Sequence, residues 1–528
     1  MTDETRDERQ SAEVIDLDRA RKEAARRRRR SQDEVYELVA RMNKTFAVVP
    51  EAGEVFVYRE LPDPLRKGRW RLDKFTVPAF YKLLMHQKLI VEVADLNTPG
   101  KTRRKSQSHA DIWFNHPDRR QCWGGTIFDP SGASNPKYYW QLWKGFAVTP
   151  VKNRQGWPKM QEHIYHVLAA GDRTVENYIL NWAALMLQQP ARQAEVALIF
   201  KGEDEGEGKY IFVKSLLKIL GQHGLHLHHQ DHLGGRFNAH LHQLVLLFID
   251  EAFYAGDKKV EGFLKGIVSD DEIGVEPKNR DLFQAPNYLH IIMASNRDRI
   301  VHASKTSRRW APFKVSDHRR GQRDYFAALA YEIDHGGAEA MLWDLLHRNI
   351  SRFEVRDIPR TAELDEQRLL GFEILERWWM TVLERGFVYK SRFGAPSLDQ
   401  WHDFHNNLLL AASHHQFCRE IGWQHPATAI QVGRFMKSSG YRDTDRRSEQ
   451  PIGERDFAPP GPAHHSAISD RDQPDLGLDK PPPTPDWRES LVIRRPRTHG
   501  YETLSLEEAR ATFKASQHDL PMPWDAVD

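Results

Sequence analysis

The sequence predicts an α/β fold: a mainly parallel sheet with flanking helices, an α+β domain before it and a helical region after it. Three observations carry this prediction. The apolar runs "EVALIFK", "QLVLLFID" and "YLHIIMASN" read as buried strands, and unbroken apolar runs belong to parallel sheets covered on both faces. The segments "GKYIFVKSLLKIL" and "KKVEGFLKGIVS" between them read as amphipathic helices. Each strand stops at a chemistry-bearing group, and open α/β sheets bind ligands at the carboxyl ends of their strands.

In chain order, residues 1–32 are polar and read as a disordered basic tail ending in "RKEAARRRRR". Arg26–Arg30 suit a tail that neutralises phosphates, and equally a solvated charge run. Asp16 and Asp18 in "IDLD" have the spacing of a polymerase metal pair. They sit in a sparse polar segment with no strand around them, so the spacing is read as chance. Residues 33–150 read as an α+β N-terminal domain, with strands at "EVFVYREL" and "TIFDP" and a helix at "VPAFYKLLMHQ". The stretch from "WFNHPDRR" to "LWKGFAVTP" is rich in Trp, Tyr and Arg. It reads as core in preference to a platform for stacking bases.

Residues 151–194 form a helical collar, built from "MQEHIYHVLAA" and "VENYILNWAALMLQ". Residues 195–335 hold the sheet. Residues 336–445 are a helical C-terminal domain, with "LLGFEILERWWMTVLERGF" its clearest helix. Residues 446–486 are proline-dense and predict an extended linker. Residues 487–528 are a short tail with room for a strand and a helix.

Bulk properties narrow the class. A chain of 528 residues predicts two to four domains, and 40% apolar content can build their cores. The net charge of +2 gives no whole-chain argument for nucleic acid. Two cysteines, Cys122 and Cys418, exclude a disulfide framework and suggest a reducing compartment. No run approaches the ~20 apolar residues of a membrane span. The charged start lacks the apolar core of a secretory signal. A soluble cytoplasmic protein, with no membrane partner, is expected.

The first strand end, "KGEDEGEGKY", has the chemistry of a phosphate cradle. Gly202, Gly206 and Gly208 let the backbone approach phosphate, and N–H groups at the following helix start bind the anion. Lys209 adds a point charge, and Tyr210 follows where a hydroxyl ligand for magnesium normally stands. At the second strand end, Asp250 is placed to hold magnesium or its water, and Glu251 to polarise an attacking water. At the third, Asn296 can orient that water or sense a γ-phosphate. Downstream, Arg308 and Arg309 can reach a phosphate held by a neighbouring subunit. The histidines between His223 and His242 raise a metal site as an alternative. Metal ligands need defined spacing and fixed supporting contacts.

Taken together, "GEGK", "LGQHGLHLHHQDHLGGRFNAHLHQLVLLFIDEAF", "IIMASN" and "SRRWAPFKV" resemble superfamily III helicases, the hexameric AAA+-type motors of phages, plasmids and small viruses. The likeness is nearer to the phage and plasmid primase-helicase group and covers roughly residues 110–380. It implies a P-loop NTPase, with Lys209 as the Walker A lysine, Asp250 and Glu251 as Walker B, Asn296 as sensor 1 and Arg308 or Arg309 as arginine finger. It makes "IGVEPKNRDLF" a pore hairpin, with Lys278 and Arg280 gripping a DNA phosphate. Because "GQHGLH" and "NAHL" belong to its pattern, it implies structural or DNA-facing roles for the histidines instead of a metal site. ATP and Mg2+ are the implied cofactors. Single-stranded or forked DNA, a homo-oligomeric ring (a hexamer) and a separate primase or other replication proteins are the implied partners. The function implied is an ATP-dependent DNA helicase in replication of a phage, plasmid or integrated element. The alternative is a nucleic-acid-binding replication or partner-loading protein with a degenerate, non-hydrolysing nucleotide domain. A primase-polymerase is disfavoured, because residues 33–150 offer no paired carboxylates in a strand.

The loop departs from the family pattern. Five residues separate Gly202 from Gly208, where four are usual. Tyr210 cannot place an oxygen on magnesium as Ser or Thr would. Glu203, Asp204, Glu205 and Glu207 crowd the turn. A charge ~4 Å from a phosphate costs about 4 kcal/mol at an effective dielectric of ~20. All four are therefore expected to point to solvent.

Overall fold

A computed structural model describes residues 3–94, 102–153, 155–227, 238–239, 241–250, 258–276, 281–297, 308–388, 401–446 and 498–526. The chain divides into two compact units, Met1–Val301 with Arg308–Thr361, and His302–Ser307 with Ala362–Asp528.

The first unit opens with a long helix, α1 (Asp3–Thr45). The basic run assigned to a disordered tail lies inside it. Ala, Glu, Lys and Arg are strong helix formers, and Glu23–Arg27 and Arg30–Glu34 pair one turn apart at 3.3 and 3.2 Å. Three antiparallel strands follow, β1 (Phe46–Glu51), β2 (Glu54–Pro62) and β3 (Trp70–Thr76), then α2 (Val77–Leu84), the hairpin β4 (Lys88–Ala94) and β5 (Thr102–Ser108), and α3 (His109–Phe114). Leu38, Val39 and Met42 of α1 meet Phe46, Phe80 and Trp113 in a local core.

Two short strands, β6 (Thr126–Ile127) and β7 (Trp140–Gln141), lead to α4 (Pro158–His163) and α5 (Arg173–Gln188). The aromatic stretch is partly core: Trp113, Phe128 and Trp140 are buried, while Trp123 and Tyr138 are exposed. Phe128 and Trp143 lie 5.3 and 4.6 Å from the His223 ring, and the Lys144 N–H donates to that imidazole at 3.0 Å. The N-terminal region therefore packs directly on the sheet that follows.

That sheet holds β8 (Ala197–Lys201), β9 (Gly224–Leu227), β10 (Leu246–Asp250), β13 (His290–Ser295) and β14 (Trp310–Lys314), all paired in parallel. Its order is β14-β8-β13-β10-β9, so the first strand of the sheet sits between the fifth and the fourth. Every residue of β8 and β13 is buried, which explains their unbroken apolar runs. Helices α6 (Lys209–Leu220) and α7 (Lys258–Ser269) connect strands. Between α7 and β13 the hairpin β11 (Glu272–Val275) and β12 (Phe283–Pro286) pairs antiparallel, with Val275 opposite Phe283. Asn238 braces that hairpin, donating to Gly274 O at 2.7 Å and accepting from Glu276 N at 2.8 Å. The expected tip residues Lys278 and Arg280 lie outside the described residues.

Helices α8 (Arg323–Glu332) and α9 (Ala338–His347) complete the unit. Met341, Leu342 and Leu345 of α9 are buried in the same core as α5 and the sheet. Arg308–Thr361, which holds α8 and α9, thus belongs to the first compact unit.

The second unit comprises α10 (Ala362–Leu370), α11 (Ile374–Arg385), β15 (Phe404–Asn406), α12 (Asn407–Glu420), α13 (Ala429–Ser438), β16 (Arg442–Arg446), β17 (Thr498–Glu502) and α14 (Leu506–Ser516). Trp378, Trp379, Tyr441, Tyr501 and Phe513 share its core. The proline-dense segment read as a linker lies outside the described residues. β16 and β17, on either side of it, pair with each other from Arg442↔Glu502 to Arg446↔Thr498. The C-terminal tail supplies β17 and α14. Among the described residues no helix is long and apolar enough to cross a membrane.

Candidate functional site

β8 ends at Lys201, and the Gly202 N–H donates to Ser295 O at 2.9 Å, so the glycine-rich loop leaves the sheet beside the end of β13. The loop then turns through Gly206 (φ 82°) and Gly208 (φ 94°), backbone conformations that side chains resist. Gly208 hands the chain to α6, whose first residue is Lys209. A Cβ on Gly208 would collide with His163 and Phe326. His163 is fully buried, and burial lowers its pKa to about 4, so the ring is neutral. Its Nε2–H donates to Gly208 O at 3.1 Å, because a carbonyl only accepts. Nδ1 is left to accept from the Tyr325 hydroxyl at 3.0 Å.

Lys209 is buried, with Nζ 2.8 Å from Glu207 Oε2, 3.0 Å from Asp204 O, and hydrogen-bonded to Asn296 Oδ1. Glu207 is 1% exposed. Its Oε1 accepts from the N–H groups of Glu203 and Asp204 at 3.0 and 3.1 Å. This overturns the expectation that all four loop carboxylates face solvent. The physical reason is Lys209. A buried ammonium beside inward-facing N–H groups is costly without an anion, and Glu207 is the anion within reach. The Gly202 Cα lies against this pair, where a Cβ would overlap both the carboxylate and the ammonium.

The other three carboxylates behave as expected. Glu203 reaches outward to Lys314 at 2.8 Å, a partner that draws its pKa down, and Asp204 pairs with Arg320. Glu205 is exposed at the edge of the cleft.

Asp250, at the end of β10, lines the same open cleft of about 460 Å3 as Lys209, Tyr210, Asn296 and Phe326. His226 Nε2 lies 3.5 Å from its Oδ2. The Tyr210 ring rests on His226 at 4.7 Å and stacks on Phe248 at 5.7 Å. Burial, and then the charge of Asp250, push the Tyr210 hydroxyl up. Tyr210 is thus a wall of the cleft.

The structure therefore brings together Gly202, Gly206, Gly208, Lys209, Tyr210, Asp250 and Asn296. Arg308 and Arg309 are not with them. Arg309 O accepts from Ala197 N at 2.8 Å, at the amino end of β8, and its Nε donates to Ser269 Oγ at 3.0 Å. Glu251 lies outside the described residues. Of the histidines, His223 is structural, its Nδ1 bonded to Gln243 O at 3.0 Å. Among the described residues no group of three or more His, Cys, Asp or Glu gathers around a metal position. Sequence reading missed His163, Tyr325, Phe326, Lys314 and Arg320. His163 sits within an ordinary helical pattern and gives no signal. The cations Lys314 and Arg320 gain meaning only through the acids they meet.

One family model, described as "Family of unknown function (DUF5906)", matches residues 200–309, well under half of the chain. No curated protein matches the chain. Among solved structures, the apo structure of the NrS-1 C-terminal region (305–718) is similar, with TM-score 0.54 and 17% identity over 76% of this chain and 93% of that one. The A form of the same region aligns with TM-score 0.55 and 17% identity, at the same coverage of both chains. At this identity the likeness concerns the fold.

Proposed function

We propose that this chain is an ATP-dependent DNA motor, a superfamily III-like helicase of the P-loop class, acting in replication of a phage, plasmid or integrated element. The observation that carries the reading is the seat of Glu207. Two backbone N–H groups and a buried lysine already hold an anion, on a loop whose glycines admit close approach. A triphosphate would take the same donors, and Asp250 and Asn296 converge on it from neighbouring strand ends. The strand order and the likeness to the NrS-1 C-terminal region support the same architecture.

A phosphate and the Glu207 carboxylate cannot share the seat, since like charges ~4 Å apart repel by about 4 kcal/mol at an effective dielectric of ~20. Glu207 therefore swings into the adjoining cleft when nucleotide binds. Lys209 then neutralises the phosphates. Asp250 would hold magnesium, which when bound would screen charge developing on the transferring group. Tyr210 and Phe326 would line the entry. Glu251 would polarise the water and Asn296 would orient it. Arg308 and Arg309 stand at the other end of the strands from Lys209, which suits service to a neighbouring subunit of a ring, such as a hexamer. Lys278 and Arg280, which fall between β11 and β12 in the sequence, would grip single-stranded or forked DNA, with priming left to a separate protein.

Glu207 also favours a second reading. If the carboxylate keeps its seat, the domain serves assembly, in a nucleic-acid-binding replication or partner-loading protein that does not hydrolyse ATP. Titrating ATP with Mg2+, with and without single-stranded DNA, separates the two. Binding with DNA-stimulated turnover is expected for the motor. Binding without turnover selects the assembly role, and no binding refutes the nucleotide site.

A further inference from the structure

The second unit runs helix, strand, helix, helix, strand, strand from α11 to β17, and β17 lies between β15 and β16 in an antiparallel sheet. This is the order of a winged helix-turn-helix, a two-helix reader closed by a small sheet. We infer that α12 and α13 form such a reader, and that α13 enters the major groove of duplex DNA. The inference is independent of the nucleotide site.

The helix pair is held rigidly. Asn407 Nδ2 donates to Ala429 O at 3.1 Å, a His415 ring nitrogen bonds Ala427 O at 3.0 Å, and Ala427 N donates to the buried His414 at 3.3 Å. These contacts fix the connection Ile421–Thr428 and so the angle of α13. Thr428 caps α13, with Gln431 completing a capping box. The inner face of α13 buries Val432, Gly433 and Met436. The Tyr501 hydroxyl donates to Gly433 O at 2.8 Å, and a Cβ at Gly433 would collide with that hydroxyl. The backbone of α13 is thus pressed onto β17.

The outer face carries the chemistry of a groove reader. Ile430, Gln431, Arg434 and Lys437 are all exposed on it. Ile430 is 68% exposed and Trp423, in the connection, 49%. Apolar groups offered to water beside cations and an amide match what base edges and phosphates need together: a thymine methyl, hydrogen-bonding edges and negative charge. Arg434 makes no ion pair among the described residues, and Lys437 meets only the exposed Asp443, at 3.2 Å. A helix of ten residues is about 15 Å long, and the major groove is about 12 Å wide.

The test uses the full chain. A random-sequence duplex pool is enriched on it, and affinity for the enriched duplex and for its single strand is then measured by fluorescence anisotropy at several salt concentrations. Arg434→Ala is expected to weaken duplex binding about tenfold or more. Gln431→Ala is expected to relax the enriched base preference. Single-strand affinity, ATP turnover and melting temperature should stay at parental values in Arg434→Ala. Parental duplex affinity in both variants, or a pool that yields no duplex bound above its single strand, overturns the inference.

Discussion

Replacing Glu207 with Ala should tighten nucleotide binding. In the free protein, Glu207 makes two hydrogen bonds to backbone N–H groups and one ion pair with Lys209. A phosphate remakes those contacts, so they cancel in the exchange. What the parent protein loses is the Glu207 side of the balance. Hydrogen bonds to a charged group contribute about 1.5–3 kcal/mol each, and rehydrating the freed carboxylate returns part of that. A net cost of about 2–3 kcal/mol for vacating the seat follows, equivalent to roughly 30- to 150-fold in affinity. Calorimetric titration of ATP with Mg2+ should therefore find the Glu207→Ala protein binding tens of times more tightly. Glu207→Gln keeps the volume without the charge and should fall between the two. Equal or weaker binding by both variants, in proteins with parental melting temperature, would refute the reasoning: Glu207 would then be part of the nucleotide site and not its competitor.

Three further outcomes follow. Lys209→Ala should abolish DNA-stimulated ATP turnover, and undiminished turnover in the purified variant would remove Lys209 from the site. Gly202→Ala should lower both nucleotide affinity and melting temperature, because its Cβ overlaps the Glu207–Lys209 pair; parental values for both would contradict the packing described. Stability should fall as pH drops from neutrality toward 4. His163, His223 and His290 are buried neutral with pKa lowered to about 4, so between that value and the ordinary ~6.5 the unfolded chain binds more protons. Their stabilisation is complete above about pH 6.5 and is lost below it, at up to about 3 kcal/mol per histidine. A melting temperature that holds constant or rises over that range would contradict their burial as neutral rings.

Much of the sheet was legible because its strands are buried on both faces. "ALIF" and "LLFI" carry no alternation to mislead, and the glycine, acid and asparagine at their ends fall where a parallel sheet collects ligands. The direction of Glu207 was not legible. A loop side chain points where local φ values and the nearest unpaired charge send it, and the need of a buried Lys209 for an anion appears only once Lys209 is known to be buried. The edges of the second unit were hidden for a different reason. Proline density reads as a linker whatever lies beyond it, while the pairing of Arg442–Arg446 with Thr498–Glu502 is a contact far apart in sequence. In α1, the polar composition ending in five arginines read as a disordered tail, although Glu23 and Glu34 stand one turn away to pair with Arg27 and Arg30.

The most direct test of the central claim is a structure of the full chain with a non-hydrolysable ATP analogue and Mg2+. The account predicts phosphate oxygens on the N–H groups of Glu203 and Asp204 and on Lys209 Nζ, with the Glu207 carboxylate turned out into the cleft and Asp250 facing the metal. Glu207 still seated on Lys209, with the analogue bound elsewhere or absent at saturating concentration, would contradict it.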